Sequence, residues 1–334
     1  MFKIAAIGLA LLAGMSSQNG LAATAGNEPH EVSVVLLGTK GGPTADPERS
    51  EPANLLIVDG HKYLIDAGAG VARQLAAADA PPPSIHTIFL THHHLDHTAG
   101  LEPLMSLNWI GNGLFGKDTP VNIYGPPATD HLVHAALDYL STSQRIFRAG
   151  IPSLPDSRTM FVPHVIDRDG PFFDDGTVKV TAAENTHFSH PSYGPDGKKD
   201  MSLSYRFDTP NGSIVFTGDT GPSDAVAELA KGADVLVSEV YLAPRDQPGA
   251  ESISAANKAL RDELADHMMR EHLSPEEVGK LAARAGVRTV ILTHIVAAPS
   301  PDLADELVRG VKTYFHGNVI VGRDLMRFEL LGRN

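Results

Sequence analysis

The segment Thr91 to His97 constrains this chain more than any other. Four histidines (His92, His93, His94 and His97) and one aspartate (Asp96) fall within six residues, directly after the short apolar run Ile85 to Leu90. A run of that kind reads as a buried strand. A strand that ends in a loop aims residues i and i+2 at one point, so His92 and His94 converge on one metal ion. Asp96 and His97 then turn back towards a second. Two imidazoles on one ion, and a carboxylate plus imidazole on the other, suit zinc, with iron or manganese as alternatives. The chain has no cysteine, so any metal site must draw on its 16 histidines and its carboxylates.

The remaining sequence supplies the setting. Lys3, the apolar stretch Ile4 to Met15 and the small residues up to Ala25 read as a signal peptide over residues 1–25. The apolar stretch is shorter than the roughly 20 residues needed to span a bilayer. The expectation is a periplasmic or secreted chain without a stable membrane anchor, with residues 26–334 as one hydrolase domain. The formal net charge of −13 repels phosphate backbones and argues against nucleic acid as a partner. A homodimer is left open.

Local patterns place strands and helices around the histidine cluster. Leu55 to Val58 and Lys62 to Ile65 flank Asp59-Gly60, a hairpin turn. Leu203 to Phe207 and Ile214 to Thr217 flank Asn211-Gly212 in the same way, and Phe173 and Val178 to Ala182 flank Asp174-Asp175-Gly176. Helices are expected at Val71 to Asp79, at Thr129 to Ser141, and from Ser274-Pro275-Glu276-Glu277 to Gly286. Val287 to Thr293 follows as a buried strand, and Ala243 to Ala256 reads as a mobile loop. The order suggests two sheet halves with helices outside.

His-x-His-x-Asp-His after a strand resembles the metallo-β-lactamase superfamily. Tyr63-Leu64-Ile65-Asp66-Ala67-Gly68 is similar to its early structural Asp-x-Gly turn. His187 after Val180 to Thr186, Asp219 in Phe216-Thr217-Gly218-Asp219-Thr220 and His294 in Ile291-Leu292-Thr293-His294 resemble its later metal-binding motifs. The resemblance implies an α/β fold, the αββα sandwich of two mixed sheets flanked by helices. It also implies two divalent metal ions. His92, His94 and His187 would hold one, Asp96, His97 and His294 the other, and Asp219 would bridge them. His190, three residues beyond His187, is a rival ligand.

Glu271-His272-Leu273-Ser274-Pro275-Glu276-Glu277-Val278 is similar to the histidine-bearing segment of the ribonuclease Z branch, which also holds arylsulfatases and small phosphodiesterases. That likeness implies Asp96 and His272 as catalytic residues, with a metal-bridged hydroxide as nucleophile and His272 as proton donor. The export signal, the acidic charge and the lack of a separate Gly- and Lys-rich arm favour an exported hydrolase of small anionic esters, an aryl sulfate or a phosphodiester. A cyclic-nucleotide phosphodiesterase or a lactone hydrolase is the alternative. A ribonuclease Z-type tRNA endonuclease and a non-enzymatic metal-binding module rank below both. Trp109, Phe115, Tyr139, Phe147, Phe172 and Phe173, in the long insertion of residues 104–173, are candidates for an apolar substrate pocket.

Overall fold

The computed structural model describes residues 30–332, apart from 117–118, 195 and 244–254. The proposed signal peptide lies outside the described residues, as does the expected loop except for Ala243 and two residues at its end. No helix among the described residues is long and apolar enough to cross a membrane.

Two seven-stranded sheets face each other. The first contains β1 (Val32–Gly38), β2 (Ala53–Val58), β3 (His61–Ile65), β4 (Thr87–Phe89), β5 (Val121–Gly125) and β6 (Phe161–Val165). The second contains β7 (Gly170–Asp174), β8 (Lys179–Glu184), β9 (Leu203–Thr209), β10 (Gly212–Phe216), β11 (Val235–Tyr241), β12 (Thr289–Val296) and β13 (Asn318–Val321). The last strand, β14 (Met326–Glu329), crosses back and pairs antiparallel with β1 at the edge of the first sheet. Both sheets are mixed: β2–β3 and β9–β10 are antiparallel hairpins, whereas β3–β4–β5–β6 and β10–β11–β12–β13 run parallel.

The apolar pattern explains the layers. Along β1 and β2, Val34, Leu36, Leu56 and Val58 pack between the sheets, while Val35, Leu37, Leu55 and Ile57 pack outward under helices. A strand buried on both faces needs such an unbroken apolar run. Helices α1 (Val71–Ala77), α3 (Leu101–Leu114) and α4 (Thr129–Gly150) cover the first sheet, through Val71, Leu104, Trp109, Val133 and Leu137. Helices α5 (Asp224–Leu229), α7 (Pro275–Ala285) and α8 (Leu303–Lys312) cover the second, through Val226, Val278, Leu281, Leu307 and Val311. The result is the αββα sandwich, with Phe89, Tyr205, Phe207 and Phe216 at the centre of the inter-sheet core.

The three expected hairpins and the capped helix α7 form where the turn and cap residues place them. Ser274 accepts from the Glu277 amide, and Gly286 closes the helix in a left-handed conformation. Two stretches differ from the reading. Helix α4 runs on to Gly150 rather than stopping at Ser141, because nothing in Thr142 to Ala149 breaks a helix. A further helix, α6 (Ala255–Glu271), has no clear amphipathic stripe and exposes Leu260, Leu264 and Met269. That weak periodicity hid it from sequence reasoning.

Candidate dinuclear metal centre and active site

The site lies at one end of the sandwich, where loops from both sheets meet. The first sheet contributes the loop after β4 and the single turn α2 (Leu95–Thr98). Asp66 anchors it: its carboxylate accepts from the Thr91 amide at 2.7 Å, from Thr91 Oγ1 and from His97 Nδ1 at 2.8 Å. Asp66 itself sits at φ 63°, a left-handed conformation uncommon for aspartate. Two residues on, a Cβ on Gly68 would lie 2.3 Å from the Asp96 carbonyl oxygen, so only glycine lets this turn back the α2 segment.

These bonds fix ring tautomers. Thr91 Oγ1 gives its proton to Asp66 and can accept one from His92 Nδ1 at 3.1 Å. His97 Nδ1 donates to Asp66, and His187 Nδ1 donates to the Glu271 carbonyl at 3.0 Å. Each of the three rings therefore turns Nε2 into the site, and presents its lone pair there when neutral, the arrangement a metal-binding histidine requires.

The second sheet supplies the other donors from separate segments, two loops and a strand. His187 follows β8, where the Asn185 side chain accepts from its amide. Asp219 follows β10, past Gly218 at φ 57° and pressed against Thr91. His294 sits inside β12, at a bulge: Ser238 pairs with Leu292, but Val240 pairs with Ile295, so β12 carries one extra residue. His294 takes φ 42° there. The bulge turns its ring inward, and left-handed backbone at a non-glycine residue is kept only where the surroundings impose it.

Two donor groups result. His92 Nε2 and His187 Nε2 lie 3.1 and 3.0 Å from His94 Nδ1. Beside them, His294 Nε2 is 3.3 Å from Asp96 Oδ2 and 3.1 Å from Asp219 Oδ2, and His97 Nε2 is 3.2 Å from Asp219 Oδ1. Asp219 Oδ2 is also 3.9 Å from His92 Nε2 and 3.8 Å from His187 Nε2, so this carboxylate faces both groups. His190, the rival, is exposed and bonds Ser189 instead.

The residues fit two divalent cations. Donors on a tetrahedral ion at about 2.0–2.1 Å stand roughly 3.3 Å apart, close to the spacings here. His97 Nε2 and Asp219 Oδ1 are both buried and face each other without hydrogen-bond geometry, as two donors aimed at a third body would. The electrostatics agree. Burial opposes charge on His97, yet Asp219 and Asp66 hold its pKa well above the ordinary range; burial is likewise outweighed at His294, which Asp219 raises to about 10. Burial would also raise the Asp219 carboxyl, but His294 and His97 hold it well below the ordinary range. At His92 and His187, burial dominates and keeps the rings neutral. Buried carboxylates thus draw positive charge onto His97 and His294, where a cation would otherwise sit, while His92 and His187 offer neutral lone pairs beside them.

Sequence reasoning missed Glu239. It is buried on β11, accepts from the Thr220 amide at 2.8 Å through Oε1, and meets His272 Nδ1 at 2.8 Å through Oε2. Burial lowers the His272 pKa, but Glu239 outweighs it and holds the ring above the ordinary imidazole range. The available signal was a lone carboxylate inside the apolar strand Val235 to Tyr241. His272 stacks on His294 with centroids 5.8 Å apart. The dyad thus stands beside the donor groups.

Two cavities flank the centre. One, of 670 Å³, is lined by His93, His131, Phe188, His190 and Met201 among others; a smaller one, of 300 Å³, is lined by Pro43, Leu95, Leu264, Met268 and Val296 together with Asp96, Asp219, His272 and His294. His94 and His267 line both. The aromatic side chains of the 104–173 insertion line neither. Trp109 is core, Phe172 and Phe173 pack in the inter-sheet layer, and Phe115 and Tyr139 are exposed elsewhere. The long stretch proved to hold strands β5 and β6 with the helices α3 and α4 that cover the first sheet, and it reaches the larger cavity only through Ala128, His131 and Leu132.

The description "Beta-lactamase superfamily domain" matches residues 61–295. Ribonuclease Z of Mycobacterium bovis (strain BCG / Pasteur 1173P2) is 30% identical over 298 residues, 89% of this chain and 98% of that protein. The chain belongs to the ribonuclease Z branch of the metallo-β-lactamase superfamily. Among solved structures, the metallo-beta-lactamase fold protein YhfI from Bacillus subtilis matches at a TM-score of 0.64 and 22% identity, covering 90% of this chain and 99% of that one. Human tRNase Z, short form, matches at 0.61 and 20%, covering 89% and 99%. These two show the shared fold.

A member of this branch with an intact donor set is a metal-dependent hydrolase of ester bonds. The ribonuclease Z relatives overturn two expectations: an exported hydrolase of small anionic esters, aryl sulfate or phosphodiester, and the exclusion of nucleic acid as a partner. The reasoning failed because net charge averages over the whole surface. Substrate meets the site, where cations held by the histidines and aspartates would set the local charge whatever the total.

Proposed function

We propose that the chain is a zinc-dependent endonuclease of ribonuclease Z type, cutting a phosphodiester at the 3′ side of precursor tRNA. The match to ribonuclease Z along nearly its whole length carries this reading. Five imidazoles and two carboxylates, with no thiolate, form a donor set that would suit zinc. In this reading His92, His94 and His187 would hold one ion and Asp96, His97 and His294 the other, with Asp219 facing both groups. Divalent cations bound there supply a nucleophilic water near neutral pH and offset the charge that develops on the phosphoryl oxygens.

The protein's own groups do the rest. Asp96 is kept ionised: burial would raise its carboxyl, but the bond from His294 and the charge of His97 hold it near 2. The Gly42 amide and His294 engage its Oδ2, and we assign Oδ1 to accept the proton of the attacking water. Glu239 orients His272 through Nδ1, and His272 gives the Nε2 proton to the departing alkoxide.

A precursor tRNA transcript with a 3′ trailer, incubated with the zinc-loaded protein and resolved on a sequencing gel, tests the reading. One cut at the trailer junction is expected. An intact transcript alongside hydrolysis of bis(p-nitrophenyl) phosphate would overturn tRNA as substrate. The compartment gives a second check, since RNA must be within reach. N-terminal sequencing of active protein from fractionated cells separates an intact Met1 in the cytoplasm from the mature exported chain that the N-terminal segment leads one to expect. A mature chain beginning near Thr24 or Gly26 outside the cytoplasm would count against RNA.

A further inference from the structure

The larger cavity opens beside His94 and has a composition unlike the metal site it adjoins. Phe188 immediately follows His187 in the chain. Its half-buried ring packs against the imidazoles of His92, His94 and His187, with centroids 5.8, 5.4 and 5.2 Å away, and also lines the cavity. Leu132 and Met201 add apolar surface. His131, His190 and Asp200 bring groups that donate and accept hydrogen bonds. No lysine or arginine is among the described residues that line it.

These features select a ligand class. A phosphate is best held by lysine or arginine, and the described lining has neither, with Asp200 and Glu271 adding negative charge instead. A purely aliphatic group would leave the imidazoles and Asp200 unmatched. A flat, uncharged heteroaromatic ring with polar edges satisfies both, because aromatic side chains stack on bases of any sequence while side chains at the margin meet base edges. The phosphate has its place one imidazole ring away, at His94.

We infer that this cavity is a nucleobase subsite, with Phe188 as the stacking surface for the base of the nucleotide whose phosphate lies at the metal centre. The inference rests on the RNA reading for its biological substrate, but its geometry stands on the cavity alone. Phe188 is a specificity-determining residue in this account, and takes no part in bond making or breaking.

The experiment compares adenosine 5′-monophosphate with ribose 5-phosphate, which keeps the phosphate and sugar and lacks the base. Isothermal titration of both into the zinc-loaded protein reads the contribution of the base directly. The nucleotide should bind about tenfold tighter, the size a single stacked base provides. In Phe188→Ala and Phe188→Leu that advantage should fall to near onefold, while ribose 5-phosphate affinity and zinc content stay unchanged. Phe188→Leu keeps apolar packing against the imidazoles, which guards against mere loss of the metal site. Equal affinities in the unaltered protein, an advantage preserved in both variants, or a matching loss for ribose 5-phosphate would each overturn the subsite. RNA cleavage is not needed for the readout. Base-dependent binding without tRNA cleavage overturns the tRNA reading alone, and tRNA cleavage without base-dependent binding overturns the subsite alone.

Discussion

The two sheets build their shares of the site in opposite ways. The first delivers His92, His94, Asp96 and His97 from one loop of six residues, stiffened by the Asp66 carboxylate and the Gly68 turn. The second delivers His187 and Asp219 from two loops and His294 from within a strand, each set by a different device: an Asn185 contact, a left-handed glycine and a strand bulge. A compact ligand loop depends on its own anchor. A dispersed set depends on the register of an entire sheet.

Asp219 belongs to the dispersed set yet faces both donor groups, so its loss should be the most severe. Asp219→Ala should lower metal content from about two equivalents to below one, by elemental analysis. Activity should drop more than about 10⁴-fold, because the nucleophile depends on the cations. A full metal load in this variant would remove Asp219 from the centre and leave the two halves independent.

His272 should behave differently, since it is placed as a proton donor and lies outside both proposed ligand groups. His272→Ala should lose about 10²–10⁴-fold on diesters with an alkoxide leaving group and little on nitrophenyl diesters, with metal content unchanged. Rates across a series of leaving groups decide this. An equal loss throughout would make His272 structural. Glu239→Gln should show a weaker form of the same pattern, because it acts through His272.

The anchor of the compact loop gives the next effect. Asp66→Asn keeps the size but weakens the bond that orients His97, so zinc affinity should fall about 10–100-fold in a competition titration. An unchanged affinity would mean that the loop holds its shape without Asp66. The smallest effect is expected at Gly68. Gly68→Ala pushes a methyl group into the Asp96 carbonyl, which should cost about 1–3 kcal/mol, read as a lower denaturant midpoint. A midpoint equal to that of the unaltered chain would show slack where the structure shows close contact.

The same contrast explains what the sequence disclosed. The six-residue cluster was legible because its chemistry is local, and the hairpins at Asp59-Gly60 and Asn211-Gly212 were legible because turn residues declare themselves. His187, Asp219 and His294 came only through likeness to a family, as single residues at strand ends. Nothing local marks the bulge that turns His294 inward, which exists only in the pairing of β11 with β12. Glu239 was passed over because a buried carboxylate in an apolar strand has no meaning until His272, thirty-three positions away, is seen beside it. The substrate was misjudged by reading the total charge as though it were the charge of the site.

Asp96 and His294 meet at 3.3 Å although 198 positions separate them in the chain. Such an encounter must wait until both sheets stand, and contacts of long sequence separation form late. The complete donor set is therefore a property of the finished molecule, and zinc becomes a reporter of maturation as well as a reagent. A cation that binds only the finished state raises its population by mass action. Chelator-treated protein should melt at a lower temperature than the zinc-loaded form, and the gap should widen as free zinc rises.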